Sequence, residues 1–341
     1  VKNPGEGVLM IISRTPFRVS FFGGGTDYPA WYLEKGGMVL ATTIDKYCYI
    51  SCRYLPPFFQ HKFRIVYSKI ETVKEFSDID HPAVKAVLTE MKCDKGLEIH
   101  HDGDLPARSG LGSSSSFTVG LINAIMALNG KHISKEDVAK QAIHIEQDVI
   151  KENVGSQDQI SAAFGGFNRI EFKKDGSFEV NPVILEQTRK KELESHLMLF
   201  FTGFSRIASE VAKSKIENFK NRNSELSLLG EMVKEAISIL QQRNQPLELI
   251  GKLLDQCWYY KRSLSDKVST PQIDLIYDEA KKAGAIGGKI LGAGGGGFLL
   301  LFVNPELQER VLEKLKYLIH VPFCFEDSGT KIVLYSPSGL G

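Results

Sequence analysis

In the run Leu105-Pro106-Ala107-Arg108-Ser109-Gly110-Leu111-Gly112-Ser113-Ser114-Ser115-Ser116 a glycine-rich loop meets an apolar-periodic segment, Phe117–Leu128, which Asn129-Gly130 closes. A helix start carries unpaired backbone N–H groups and about half a positive charge, and glycines let that backbone come close to an anion. Ser109, Gly110, Leu111, Gly112, Ser113, Ser114 and Ser115 therefore read as a phosphate cradle, with hydroxyls that can cap the helix or ligate a hard divalent cation. The plainer alternative is a loop before a helix with more caps than it needs. A second cluster, Gly284–Gly297, is glycine at eight of fourteen positions. It lacks the Gly-Lys-Ser/Thr of a Walker loop, and a strand-like Phe298–Val303 follows where a Rossmann fingerprint needs a helix. Either two backbones pack closely there, or the glycines form a wall over a phosphate chain or sugar.

Three acids stand out. Glu146 falls in a stripe with Ala139, Ile143 and Ile150 beside Val138, Ala142, Ile145 and Val149. A carboxylate inside an apolar face requires a Lys/Arg partner or a divalent cation. Asp158, twelve residues on, lies in Gly155-Ser156-Gln157-Asp158-Gln159-Ile160-Ser161-Ala162-Ala163. Small neighbours leave room for a substrate hydroxyl within reach of a general base, although Asp also suits a plain turn. Asp27 follows Gly23-Gly24-Gly25-Thr26, where it could accept two hydrogen bonds from vicinal hydroxyls or simply close a hairpin.

These groups must be held by a chain of 341 residues, beyond the size at which one core keeps growing, so two domains are expected. The 42 basic and 41 acidic residues leave a net charge of +1, which gathers neither nucleic acid nor anionic membrane. No stretch approaches the ~20 apolar residues of a membrane span, and nothing resembles a signal peptide. Five scattered cysteines suit reduced thiols in a cytoplasm, and Cys48 and Cys52 lack the second pair of a zinc site. The patternless residues before Met10 read as a start-site remnant outside the fold.

Periodicity predicts strands and turns from Ile11 to Ile70, a helix near His81–Met91, a strand near Leu97–His101, and a helix over Ser134–Lys151. A loop Glu152–Gln159, a small-residue segment Ser161–Gly166 and a strand Phe167–Phe172 follow. Polar residues around Lys173–Ser195 mark a boundary. Beyond it come helices over Ala208–Phe219, Glu225–Arg243, Pro246–Ser263, Gln272–Ala283 and Pro305–Leu318, with strands at Met198–Thr202, Phe298–Val303 and Lys331–Tyr335. The order argues α+β rather than a doubly wound sheet.

In sequence order, Pro16–Tyr28, Pro106–Ser116, Glu146 with Asp158, and Lys289–Gly297 resemble the three motifs and acidic pair of the GHMP kinases, over Met10 to the C-terminus. Within that superfamily, Phe22–Pro29 with Gly36–Tyr47 is similar to the D-glycero-D-manno-heptose 7-phosphate kinases, whereas galactokinases carry an acidic-His pair in place of Gly24-Gly25. The resemblance implies a two-domain α+β fold, an N-terminal domain like ribosomal protein S5 domain 2 over 10–190 and a ferredoxin-like domain over 191–341. It implies ATP at Pro106 and Ser109–Ser115, Mg²⁺ at Ser114 and Glu146, Asp158 orienting or deprotonating the acceptor hydroxyl, and Arg18 steadying the transferring phosphoryl group. Gly24, Gly25, Thr26, Asp27, Tyr28, Gly294 and Gly295 would contact a small sugar phosphate, phosphorylated at its anomeric hydroxyl for surface glycan synthesis. The branch implies cations at the sugar's far phosphate, for which Lys46, Arg53, Lys62, Arg64, Arg169 and Arg206 are candidates. Another anomeric sugar kinase, such as one for fucose, or a non-catalytic binding relative are the alternatives.

Overall fold

A computed structural model describes residues 10–55, 58–93, 95–107, 109–203 and 208–336. The patternless segment before Met10, Arg108 and Arg206 lie outside the described residues.

The N-terminal half is organised by the strand Gly37–Tyr54. Its β-branched and aromatic residues suit a pleated, half-buried surface. It pairs antiparallel with Met10–Phe22 along most of its length, with Phe167–Phe172 at its first half and with Leu97–Gly103 at its second. Met10–Phe22 breaks register at Pro16/Phe17 and again at Ser20/Phe22. Proline has no N–H for the ladder, so the first shift falls where a bulge costs least. Just beyond it, Arg18 stays in the strand opposite Thr43, and its backbone N–H donates to the Leu111 carbonyl at 3.0 Å. The Ser113–Leu128 helix buries Val119, Leu121, Ile122 and Ile125, none of them detectably exposed. Burial of each such side chain contributes roughly 1.5–3 kcal/mol, which fixes the helix start against the sheet.

The C-terminal sheet runs Ile319–His320, Leu197–Phe201, Phe298–Val303, Ala285–Ile290, antiparallel throughout. Numbered within the half, that order is 4-1-3-2, the ferredoxin-like arrangement, with the Glu248–Ser263 and Pro271–Ala283 helices among those inserted between its first two strands. Phe298–Val303 is buried at all six positions, as a central strand covered on both faces should be.

Three expectations change. The Ser134–Lys151 segment is an α-helix only over Lys135–His144 and continues as a π-helical turn, Ile145–Val149. Asp158 lies not in a loop but in the first turn of a helix, Gln157–Phe164. Ser161, Ala162 and Ala163 are small because that turn packs tightly, and all three are buried. Finally, Lys331–Ser336 pairs with Met10–Phe22 and Phe325–Glu326 with Gly37–Tyr54, so the chain end expected in the C-terminal half completes the N-terminal sheet. Its anchor is Glu326, which accepts from Tyr47 Oη at 2.5 Å and faces Arg14 at 3.8 Å.

Among the described residues no helix is long and apolar enough to cross a membrane. Among the described residues no cysteine forms a disulfide, and Cys48 and Cys52 lie in the core.

Candidate active site

Between the halves lies a cleft of about 200 Å³. One wall is the turn Gly24–Tyr28 and the end of Met10–Phe22. The floor is the glycine-serine loop. The other wall belongs to the C-terminal half and brings Lys215, Lys261, Lys289, Gly292 and Ala293.

Gly110 and Gly112 have φ of +86° and +75°, and Gly112 is the N-cap of the Ser113–Leu128 helix. Only glycine adopts such angles without strain. A Cβ on Gly110 would stand 2.6 Å from the Leu291 carbonyl oxygen. The second glycine cluster explains that crowding. A Cβ on Gly292 would lie 2.5 Å from Gly110 Cα, and one on Gly297 would lie 2.2 Å from the Ser109 oxygen. The two loops pack backbone to backbone, with Phe298 N–H donating to the Ser109 carbonyl at 3.1 Å. Close packing also explains Gly287, whose Cβ would lie 2.0 Å from the Gly251 carbonyl oxygen. Gly292 and Gly297 therefore support the glycine-serine loop from behind. Gly292 and Ala293 reach the cleft, whereas Gly294 and Gly295, expected at the sugar, pack on Val268: Gly295 N–H donates to its carbonyl at 2.8 Å.

Arg18 is 3% exposed and holds three parts of the site together. Nε donates to Asp158 Oδ1 at 2.8 Å, a second nitrogen lies 2.7 Å from the same oxygen, and Nη1 donates to the Gly110 carbonyl at 2.8 Å. Burial in the cleft raises the Asp158 carboxyl above the ordinary carboxylate value, and the Arg18 charge opposes that rise. The geometry fixes an acid beside the glycine-serine loop while the Asp158 side chain keeps about a quarter of its surface open.

The turn starting at Gln157 sends three consecutive side chains to three different partners. Gln157 Nε2 donates to Asp27 Oδ2 at 2.9 Å, Asp158 meets Arg18, and Gln159 Nε2 donates to Glu146 Oε2 at 2.5 Å. Asp27 also accepts from the Gly25 N–H at 2.8 Å. A Cβ on Gly155 would stand 1.9 Å from Asp27 Oδ2, so glycine is required there. Asp27 lines the cleft and locks the turn. Thr26 is buried and serves the turn alone, donating to the Gly23 and Met38 carbonyls. Tyr28 lines the cleft and packs edge-on against Phe219, with ring centroids 5.8 Å apart.

Glu146 is 1% exposed. Oε2 accepts from Ser115 Oγ at 2.8 Å and from Gln159, whereas Oε1 is buried with no partner. No lysine or arginine pairs with it among the described residues. Burial pushes its carboxyl up to about 7 against the hydrogen bonds that hold it down. The π-turn carries this acid inward, a common use of such turns. An orphaned buried carboxylate oxygen beside serine hydroxyls is a donor set of hard oxygens that fits Mg²⁺. Ser115 touches Glu146 directly, and Ser114 stands exposed at the mouth of the loop. Ser113 also lines the cleft. Leu111 is buried, the buried Ser109 hydroxyl has no partner, and Pro106 is exposed away from the cleft.

The described candidates for a distal phosphate are engaged elsewhere. Lys46 pairs with Asp45 at 3.0 Å, Lys62 with Glu75 at 3.3 Å, Arg64 with Glu98 at 3.4 Å, Arg53 with Glu98, and Arg169 with Glu171 at 2.6 Å. None lines the cleft. Of the cations that do, Arg18 was expected there and Lys215, Lys261 and Lys289 were not, although a signal existed. Lys261 continues the buried stripe Leu254, Cys257, Trp258, and Lys215 continues Val211, Ala212 toward Phe219. Each is a charge in an apolar face, the same anomaly that exposed Glu146.

Residues 74–166 match the GHMP kinases N terminal domain and residues 223–320 the GHMP kinases C terminal domain. Over 320 residues the chain is 29% identical to a D-glycero-alpha-D-manno-heptose 7-phosphate kinase of Campylobacter jejuni subsp. jejuni serotype O:2, covering 90% of this chain and 93% of that one. Over 241 residues it is 30% identical to a mevalonate kinase of Thermococcus sibiricus, covering 69% and 68%. A crystal structure described as a D-glycero-D-manno-heptose 1-phosphate kinase from Bacteriodes thetaiotaomicron shares the fold, with a TM-score of 0.78 at 24% identity over 96% of this chain and all of that one. The glycine-serine loop, the Arg18–Asp158 pair and the ferredoxin-like half thus occur together in a chain that belongs to the GHMP kinases.

Proposed function

We propose that the chain transfers the γ-phosphoryl group of ATP to the anomeric C1 hydroxyl of D-glycero-D-manno-heptose 7-phosphate, giving the 1,7-bisphosphate. The supporting observation is the Arg18–Asp158 pair, which stands between the phosphate loop and the Asp27–Tyr28 turn. Phosphoryl transfer needs in-line placement and charge neutralisation more than covalent help. The N-terminal turn at Ser113–Ser115 offers N–H groups to the nucleotide's phosphates. Arg18, already bonded to the Gly110 carbonyl, balances charge on the oxygens in transit. Asp158 accepts the proton of the acceptor hydroxyl or orients it, and Arg18 fixes its position. Asp27 and Tyr28 face the sugar from the opposite side. Bound Mg²⁺, held by Ser114 and Glu146, would supply further neutralisation between phosphates.

The test is turnover with ATP and a panel of heptose 7-phosphate, free heptose, fucose, hexose 6-phosphates and mevalonate. The expected product shows a phosphorus signal coupled to the anomeric proton and is acid-labile. A product phosphorylated elsewhere, or equal turnover of phosphorylated and free sugars, refutes the substrate reading and leaves the kinase intact.

A further inference from the structure

Four cations line the cleft, and three already have partners. Arg18 is bonded to Asp158 and Gly110, Lys289 donates to the Phe21 carbonyl at 2.8 Å, and Lys261 donates to the Ile290 and Gly292 carbonyls at 2.6 and 2.7 Å. Lys215 differs. It is 3% exposed, yet among the described residues it has neither a hydrogen-bond acceptor nor a carboxylate within ion-pair distance. Its ammonium sits 5.2 Å from the centroid of the Tyr28 ring. A buried ammonium without a counter-charge is costly, so its persistence in a cleft wall points to an anion that arrives with a ligand.

Its place tells which anion. The Tyr28 ring that the ammonium faces belongs, with Asp27, to the turn assigned to the acceptor. Asp27 does not pair with the ammonium: its oxygens accept from Gly25 N–H and Gln157, and it lies beyond ion-pair distance of Lys215. Burial draws the Lys215 ammonium down to about 8, the Asp27 and Asp158 charges hold it up, and Lys289 opposes them. An arriving phosphate dianion would restore its full charge.

We infer that Lys215, on the Ala208–Asn218 helix, binds the distal phosphate of the acceptor and so selects phosphorylated over free sugar. This rests on the substrate reading above. It gives the C-terminal half a direct part in acceptor choice, since the N-terminal turn contacts only the sugar body.

The experiment compares wild type, Lys215→Met and Lys215→Arg on heptose 7-phosphate and free heptose, with melting temperature and the KM for ATP as controls. In Lys215→Met the kcat/KM ratio of phosphorylated to free acceptor should fall about 10- to 100-fold, the range of one charge-assisted bond. The loss should appear mainly in the KM for the phosphorylated acceptor, and Lys215→Arg should recover part of it. Equal losses on both acceptors, or a raised KM for ATP with the ratio unchanged, would place Lys215 on the transferring group and overturn the inference. A wild-type preference that survives Lys215→Met overturns it while leaving the substrate reading intact. A wild type indifferent to the acceptor's phosphate overturns both.

Discussion

Glu146 offers a test in which pH, metal and stability must agree. In the metal-free protein one of its oxygens has only neutral donors and the other has none. Its carboxyl is pushed from the ordinary 4.5 up to about 7. The folded state therefore keeps a proton that the unfolded chain has released, and stability falls as pH rises from about 4.5 to 7, then levels off. The interval corresponds to about 3 kcal/mol at roughly 1.4 kcal/mol per pH unit. Glu146→Gln cannot ionise, and its amide oxygen can still accept from Ser115 and Gln159. Against wild type in a chelator, the variant should gain about 2.5 kcal/mol of relative stability between pH 5 and pH 8, read by urea unfolding. In wild type, Mg²⁺ binding near pH 7 should release about half a proton, measurable by calorimetry in buffers of different ionisation enthalpy. Glu146→Gln should release none and should need more Mg²⁺ for half-maximal rate. A stability difference that does not change with pH would refute the reasoning, because Glu146 would then be ionised against a cationic partner throughout.

Asp158→Asn keeps Oδ1 for Arg18 but removes the proton acceptor, so kcat should fall about 10²-fold or more while ATP affinity, read by equilibrium binding, changes little. Near-normal kcat would make Asp158 a mere tether. In wild type, the acid limb of kcat/KM should lie above the ordinary carboxylate value of 3.8, in the direction burial drives it. Gly292→Ala places a Cβ 2.5 Å from Gly110 Cα at φ +67° and should cost more than tenfold in kcat/KM for ATP. Gly130→Ala, at φ +66° with nothing within 4 Å, is the matched control and should carry only the backbone strain, about 1 kcal/mol.

Much of the architecture was legible because long apolar periods leave few choices. The Ser113–Leu128 helix and the Phe298–Val303 strand lie where their patterns put them. Irregular pieces were not. A π-turn adds a residue per turn without any composition mark, so Glu146 stood out as an acid in an apolar stripe while its contacts with Ser115 and Gln159 stayed hidden. Asp158 looked like a loop residue because Gly155-Ser156 before it and Ser161-Ala162-Ala163 after it are small. In the fold those small residues let the Gln157–Phe164 helix sit against the sheet.

The second glycine cluster shows why a motif can be recognised correctly and read too literally. Glycine permits a backbone to approach a ligand or another backbone, and sequence alone does not separate the two. Here positions 287, 292 and 297 each meet backbone at 2.0–2.5 Å from a would-be Cβ, so these glycines serve backbone packing, and Gly292 and Gly297 back the glycine-serine loop. The consequence reaches function. A phosphate cradle works only if its N–H groups keep their directions when a multiply charged ligand arrives, and a rigid second backbone behind Gly110 supplies that resistance without presenting a side chain to the nucleotide. The cations of the same wall follow the same logic: Lys261 and Lys289 are bonded to carbonyls and hold the wall's shape, which leaves Lys215 as the charge in that wall able to answer a ligand.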